Sequence, residues 1–348
     1  MSDLKTIWIK GWRRKMASLS LLAHDNLLLQ VGSKVGLSVG KQDPSCGNEF
    51  CENLYPGSWL MVQGEQWALP MEQHPLRMSS DIELLISVCR LHGFKRAIVF
   101  IGSVQWDWQT FQAKELPHQE AFVSLFAALR AAGILPLACY YLNDGPNDLS
   151  NWQRAADVVS AVHEFNQAFP ASAVEGIEGD QEPTSISAEY LQMNEMIRAR
   201  RDQLNAQLKL SVSLKPGWLR RTYQEENMVS AALGALDVGM IMAYSSSPST
   251  SQAWGDQALA RATETNKKLT VAIETSPRAP QSDTFWEVAS QEKPKFFQML
   301  ADMEEHYRLG ADGEAFQGLV VHDYEGFFEA MYGIKATSYP SPVTHLYA

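Results

Sequence analysis

The chain has 348 residues, of which 45% are hydrophobic and 10% aromatic, so it can bury a large core and is not a disordered protein. Its net charge of −11 argues against nucleic acid as a partner, because neutralising phosphates requires clustered Lys and Arg. It contains no apolar run of the ~18 residues that a bilayer-spanning helix needs, and therefore no membrane span is predicted.

Residues 1–57 are predicted to form an N-terminal extension to the main domain. In this extension a basic segment, KGWRRK, precedes the apolar segment MASLSLLA, which is the order found in signal peptides. His24 and Asp25 interrupt the apolar segment, and no convincing cleavage site follows it. The sequence therefore does not decide between a cytoplasmic and an exported protein.

The four cysteines include one pair that is close in sequence. Cys46 and Cys51, in SCGNEFCENLYPG, could close a small disulfide loop in an oxidising compartment or remain two reduced thiols. Cys89 lies in a helical pattern and Cys139 in a strand pattern, so both are predicted as small core residues. No spacing typical of metal ligands is present, and we expect neither a metal nor another cofactor.

From Ser58 onward, short β-rich segments alternate with longer segments of helical periodicity. The helical segments place apolar residues at i, i+3 and i+4, and several end in Gly, as helix C-termini commonly do. Eight segments are predicted as strands: SWLMVQ, RAIVFIG, LPLACYYL, VEGIEGD, LKLSVSL, VGMIMAY, LTVAIET and GLVVHDY.

Eight strand–helix alternations over roughly 280 residues predict an α/β fold, a (β/α)8 TIM barrel, which typically takes about 250 residues. We place this barrel domain at 58–335 and a C-terminal tail at 336–348. The alternative architecture is a doubly wound open sheet, but no Gly-rich phosphate-binding loop follows the first strand. In a (β/α)8 barrel, the functional residues lie at the C-terminal ends of the strands.

The fourth predicted strand ends in an acidic segment, VEGIEGDQEP. Because side chains alternate along a strand, Glu178, Asp180 and Glu182 share one face and are predicted to point towards the barrel axis or its mouth. Their mutual repulsion should raise the pKa of at least one carboxyl, as a general acid at neutral pH requires. The alternative is an acidic strand end that faces solvent and has no catalytic role.

The segment EGIEGDQE resembles the D-x-x-D-x-D-x-E signature on the fourth strand of family 18 glycoside hydrolases, the chitinases and their relatives. Glu175 and Glu178 stand where the family has aspartates, and the last two acids match. The segment MAY, 242–244, resembles the M-x-Y motif at the end of the family's sixth strand. DQEP, IETS and HDYEG are similar to strand ends of uncharacterised chitinase-like barrel proteins. The resemblance covers about the predicted barrel, Ser58 to Lys335.

This resemblance implies a glycoside hydrolase acting on an oligosaccharide or polysaccharide that contains N-acetylated amino sugar. Glu182 would protonate the glycosidic oxygen. Asp180 would orient the substrate's 2-acetamido group, whose carbonyl oxygen attacks the anomeric carbon, and Tyr244 would hydrogen-bond that group. Glu178 would share a proton with Asp180, although its extra methylene group, relative to the family's aspartate, shifts the carboxyl.

Further residues near predicted strand ends are candidates for binding the sugar, since sugar faces are apolar and pack on aromatic rings while sugar hydroxyls take hydrogen bonds. Chitinases usually have a tryptophan on the eighth strand, where this chain has HDY, so Tyr324 is expected to stack on the sugar instead. The predicted substrate-binding residues are Gln63, Trp67, Trp106, Tyr141, Trp218, Glu274, His322, Asp323 and Tyr324.

Two other functions fit the same sequence. Glu182 and Glu274 occupy the strand-four and strand-seven positions of the acid/base and nucleophile in retaining glycosidases, whose carboxyl groups lie about 5–5.5 Å apart. Against this function, Gln181 stands where those enzymes have Asn, and Asp180 and Tyr244 would have no task. The other alternative, a non-catalytic carbohydrate-binding barrel, is favoured by the departures from the family signature.

Overall fold

The computed structural model describes residues 6–9, 59–62, 75–104, 111, 114–116, 119–142, 149–322 and 324–332. These ranges include a strand in the predicted extension and most of the predicted barrel. No helix within them is long and apolar enough to cross a bilayer.

The strands of the described ranges are β1 (Thr6–Ile9), β2 (Trp59–Val62), β3 (Arg96–Ser103), β4 (Leu135–Tyr141), β5 (Gly176–Asp180), β6 (Lys209–Leu214), β7 (Thr222–Tyr223), β8 (Glu226–Asn227), β9 (Val238–Met242), β10 (Lys268–Glu274) and β11 (Phe316–His322). The antiparallel pair β7–β8 stands apart, and the other nine strands form a closed parallel barrel in the order β1-β11-β10-β9-β6-β5-β4-β3-β2. All eight predicted strands are present in this barrel. The barrel prediction is therefore confirmed, and the open-sheet alternative is wrong.

β1 is a barrel strand that the sequence does not predict. It closes the barrel between the last strand and the second, with Thr6 opposite both Val320 and Trp59. It lies within 1–57, and its four residues, TIWI, are too few to give a clear β pattern before a basic segment follows. Its strand conformation is instead fixed by pairing with β11, β2 and β3.

The helices connect successive strands. Ser187 caps the start of one of them by accepting a hydrogen bond from the Tyr190 amide, and Gly93 and Gly133, at φ 70° and 77°, follow the ends of two others. The helices are α1 (Pro75–Leu91), α2 (Gln119–Ala131), α3 (Leu149–Ala168), α4 (Ala188–Gln203), α5 (Met228–Leu233), α6 (Pro248–Glu264), α7 (Trp286–Gln291), α8 (Lys293–Leu309) and α9 (Tyr324–Tyr332).

Alternate residues of a barrel strand pack in two different clusters. On β3, Ala97, Val99 and Ile101 belong to an outer cluster shared with the helices, whereas Ile98 and Phe100 belong to an inner cluster. The half-buried rings of two tyrosines pack on the inner cluster and mark its upper boundary. The other members of the inner cluster and these two tyrosines are Leu137, Cys139, Met240, Ala272, Val320, Tyr141 and Tyr244.

Two of the cysteines lie in these clusters. Cys89 and Cys139 are both buried, as the core prediction requires, and burial raises the pKa of the Cys89 thiol. Cys46 and Cys51 lie outside the described residues, so their pairing stays a prediction.

Candidate functional site

The interior of the barrel is polar along β5. Cys139, an inner residue of β4, is paired in register with Glu178, and Tyr141 is paired with Asp180. Because paired residues of neighbouring strands share a face, Glu178 and Asp180 point into the barrel. Asp180 is the last residue of β5, so it lies nearer to the C-terminal mouth than Glu178 does.

Glu178 is a buried carboxyl held by serines of β6. Its Oε1 accepts a hydrogen bond from Ser213 Oγ at 3.2 Å. The pKa of Glu178 is raised to about 8, mainly by burial; the Asp180 charge adds to the rise, and hydrogen bonds from Ser211 and Ser213 oppose it. Glu178 is therefore protonated at neutral pH. It is the member of the acidic segment that has the raised pKa expected for at least one carboxyl.

Glu182 lies beyond the end of β5, where 41% of its side chain is exposed, whereas Asp180 is only 2% exposed. Lys215 Nζ donates to the backbone oxygen of Glu182 at 2.6 Å and lies 3.7 Å from its Oε2. Lys215 directly follows β6 and so reaches Glu182 from the neighbouring strand end. Along this segment, the side chains thus change from a buried neutral acid to an accessible acid beside a cation.

A second polar group lies at the ends of β10 and β11. Glu274 and His322 are paired in register, and both side chains are buried. Glu274 Oε2 accepts a hydrogen bond from His322 Nδ1, and Glu274 Oε1 accepts one from the Ser276 amide at 2.6 Å. The Tyr244 ring stacks on His322, with ring centres 5.4 Å apart and planes 27° apart. The Glu274–His322 pair thus supports a half-buried aromatic ring at the barrel mouth.

Two of the aromatic rings predicted to stack on a sugar do not line the barrel mouth. Trp218 is buried in the 3-10 helix Pro216–Arg220, in edge contact with Tyr190 at 5.8 Å. Tyr324 is the first residue of α9 and is buried, and its ring centre lies 5.7 Å from that of Phe328. Both rings fill the outer cluster between barrel and helices, so neither offers a face to a sugar. A residue that follows a strand in sequence can be assigned to the C-terminal end of the barrel, but its sequence position does not show whether its side chain points into the barrel or towards the helices.

The first acid of the signature-like segment is also remote from the mouth. Glu175 precedes β5 at the opposite end of the barrel, where its carboxylate is paired with Arg96 at 3.1 Å and with Lys209. Its contacts join the starts of β3, β5 and β6. Glu175 therefore has a structural explanation that needs no substrate.

Four predicted substrate-binding residues cannot be placed. Gln63, Trp67, Trp106 and Asp323 lie outside the described residues, and their assignment stays a prediction. Among the residues that the structure does describe, no group of three or more His, Cys, Asp or Glu is placed to hold a metal ion.

Two polar residues of the site were not identified from the sequence. Ser213 lies two residues after Ser211, which is paired in register with Glu178, so strand alternation could have placed both serines inside the barrel. Lys215 follows the same strand and could have been noted as a cation at the functional end. Its contact with Glu182 joins residues 33 positions apart, and no local pattern predicts such a contact.

The barrel is similar to solved chitinase and glycosidase barrels. A chitinase from Chromobacterium violaceum is 13% identical with a TM-score of 0.45, over 72% of this chain and 94% of that chain. A GH113 β-1,4-mannanase is 10% identical with a TM-score of 0.45, over 77% and 90%. The xylanase and α-amylase inhibitor protein XAIP-II from Scadoxus multiflorus is 12% identical with a TM-score of 0.43, over 72% and 93%. The sequence matches no protein-family model and no curated protein.

Proposed function

We propose that this protein is a glycoside hydrolase that cleaves an oligosaccharide or polysaccharide containing N-acetylated amino sugar, with Glu182 as its general acid. The observation that carries the proposal is that the exposure of the acidic side chains increases along the end of β5. Glu178 and Asp180 are buried inside the barrel, and Glu182 is accessible at the mouth. A sugar chain at the mouth could therefore contact Glu182 while the buried acids act on the reacting sugar from below.

In the proposed reaction, Glu182 donates its proton to the glycosidic oxygen as the bond to the anomeric carbon breaks. The carbonyl oxygen of the substrate's own acetamido group attacks the anomeric carbon, so no protein nucleophile is needed, as in the substrate-assisted exceptions to the two-carboxylate scheme. Water then attacks the same carbon and returns a proton to Glu182.

Asp180, Glu178 and Tyr244 hold the acetamido group in this proposal. Glu178 keeps its proton at neutral pH, and a carboxyl oxygen of Asp180 would accept a hydrogen bond from the acetamido N–H. Tyr244, whose ring rests on His322, would present its hydroxyl to the acetamido oxygen. Each side chain then has a task that it lacks in the alternative mechanism, double displacement by a retaining glycosidase with Glu274 as nucleophile.

Lys215 sets a condition on this mechanism. Its ammonium group attracts the Glu182 carboxylate, whereas a general acid must carry a proton. Sugar binding therefore has to separate the two side chains before Glu182 can act. Sugar hydroxyl groups are suitable alternative partners for the ammonium group.

The second candidate function is retaining hydrolysis with Glu274 as nucleophile. It is favoured by the position of Glu274, an ionisable side chain at the C-terminal end of a barrel strand with a fixed orientation. This route requires no acetamido group on the substrate. The two routes therefore differ in the sugars they accept.

Hydrolysis of N-acetylglucosamine oligomers, compared with deacetylated oligomers of equal length, tests the proposal. We expect cleavage of the acetylated series only, and Glu182→Gln should lower kcat by about 10²–10⁴-fold while oligomer binding persists. Glu264→Gln is the matched control, because Glu264 is also exposed and ion-paired, to Arg261 at 2.8 Å, but ends α6 at the far end of the barrel. Binding without cleavage by the unmodified protein would instead indicate a carbohydrate-binding barrel.

A further inference from the structure

A buried polar pair lies on the outer face of the strand end that carries the proposed catalytic acids. Gln181 stands between Asp180 and Glu182, and its Nε2 donates a hydrogen bond to Tyr140 Oη at 2.6 Å. The two side chains are 3% and 2% exposed. Because Tyr140 belongs to β4, the bond joins the acidic segment to the neighbouring strand just where β5 ends.

The surroundings of this pair are largely apolar. A cavity of about 10 Å³ beside it is lined, apart from the pair itself and Gly179, by the two polar residues Asn194 and Ser211 and by five apolar ones, Ile177, Ile197, Leu210, Val212 and Leu236. Polar groups buried in such a place destabilise the fold unless they are hydrogen-bonded, and two apolar side chains could fill the same volume without that requirement. Stability alone therefore does not explain why polar residues occupy these two positions.

Gly179 shows how closely Tyr140 approaches the backbone of β5. A Cβ atom at Gly179 would lie 3.1 Å from the Tyr140 hydroxyl oxygen, which is tighter than most contacts of real Cβ atoms. The hydroxyl group thus lies against the strand between the inward residues Glu178 and Asp180. Burial raises the pKa of Tyr140, so the phenol stays neutral and keeps its role in the hydrogen bond.

We propose that Tyr140 and Gln181 are a positioning pair that fixes the end of β5 and thereby places the carboxyl groups of Asp180 and Glu182 for catalysis. The inference rests on the proposed function. Neighbouring residues of an extended segment point to opposite faces, so anchoring the outward Gln181 side chain constrains the residues on both sides of it. Neither member of the pair contacts the substrate.

Tyr140→Phe removes the hydroxyl group and leaves Gln181 Nε2 buried without its acceptor. We expect kcat on acetylated oligomers to fall by about 10–100-fold, because a displacement of about 1 Å can lower rates by ~10²-fold. KM should stay within about twofold of its original value, since the contacts with the sugar are retained. Tm should fall by about 2–4 °C, as loss of one buried hydrogen bond predicts.

The double variant Tyr140→Phe/Gln181→Met separates positioning from stability. It removes both polar groups at nearly constant volume, so Tm should return towards the original value. If the pair positions the acids, kcat stays low in the double variant. Recovery of kcat together with Tm would overturn the proposal, because it would show that the bond only stabilises the fold.

Tyr307→Phe is the matched control for the single variant. The Tyr307 hydroxyl is also buried and donates one hydrogen bond, to the Ser251 backbone oxygen at 3.1 Å, but it joins α8 to α6. This variant should show a similar fall in Tm with unchanged kcat. An equal loss of kcat in Tyr307→Phe would mean that general destabilisation accounts for the effect, and would also contradict the proposal.

Hydrogen exchange of the backbone amides between 180 and 184 gives a measurement that does not depend on turnover. Exchange there should increase in Tyr140→Phe and in the double variant, and not in Tyr307→Phe. A lack of turnover by the unmodified protein would refute the proposed function and leave this measurement valid. Unchanged exchange in Tyr140→Phe would refute the positioning pair, whatever the enzyme's activity.

Discussion

Glu274 is the carboxyl group whose role differs between the two candidate mechanisms, because both use Glu182 as the acid. Both oxygens of Glu274 accept hydrogen bonds, one from the Ser276 amide and one from His322, and the side chain is buried. A nucleophile needs an oxygen that can reach the anomeric carbon. We therefore expect Glu274 to orient His322 beneath Tyr244 instead of attacking the sugar.

Substituting Glu274 by Gln tests this assignment. The amide preserves the shape but presents an NH₂ group to one of the two donors, so the support of Tyr244 weakens without being lost. We expect kcat on acetylated oligomers to fall by about tenfold, and mass spectrometry with a fluorinated activated sugar should detect no covalent adduct. Glu304→Gln, which changes a buried glutamate of α8, controls for destabilisation. Complete loss of turnover with a labelled Glu274 would establish the double-displacement route instead.

Strand alternation was sufficient to predict that Glu178 and Asp180 share an inward face, because a period of two is a local property of the sequence. The same argument could not show which carboxyl has the raised pKa, because the pKa of Glu178 is raised mainly by burial. It also could not find the partners of Glu182 and Glu274. Lys215 and His322 meet them only after strands far apart in sequence have paired, so these contacts depend on register.

The 3-10 helix Pro216–Arg220 forms the link between β6 and the hairpin β7–β8. Trp218 anchors it in the outer cluster, and Lys215, the residue before the helix, extends to Glu182. The tryptophan therefore contributes to the site by holding the segment that carries Lys215. Its ring is buried and does not line the barrel mouth.

Trp218→Phe distinguishes an anchor from a sugar platform. Loss of the larger ring leaves a cavity, so the free energy of unfolding should fall by about 1–3 kcal/mol in urea titrations, while the affinity for acetylated oligomers should change by less than about twofold. Trp254→Phe, at a half-buried position of α6, should cause a smaller loss of stability. A large loss of affinity at unchanged stability would restore Trp218 as a sugar-binding residue.

At the level of elements, β3, β4, β6, β9, β10 and β11 were predictable because their segments are rich in apolar residues, as is typical of strands buried on both faces. β1 and the two-residue strands β7 and β8 were not, since such short segments carry little periodic signal. Their conformations depend on pairing with other strands: β11 and β2 for β1, and each other for β7 and β8.

A protonated carboxyl inside the barrel makes the stability of the whole molecule depend on pH. The unfolded chain releases the Glu178 proton near the ordinary glutamate pKa of about 4.3, whereas the folded barrel keeps it up to about 8. Between these pH values the folded state binds more protons than the unfolded state, so the free energy of unfolding decreases as pH rises. The Glu178 contribution changes by at most about 1.4 kcal/mol per pH unit and levels off above pH 8.

Glu178→Gln removes this ionisation and retains a side chain that can hydrogen-bond Ser213. We expect the variant to be more stable than the unmodified protein at pH 8–9, and its urea-unfolding free energy to depend less steeply on pH between about 5 and 8. Ser213→Ala deletes a hydrogen bond that lowers the pKa of Glu178, so the decline in stability should extend to higher pH. An undiminished slope in Glu178→Gln would show that Glu178 is already ionised in the folded barrel, and Asp180 would then lack the neutral partner that the proposed mechanism gives it.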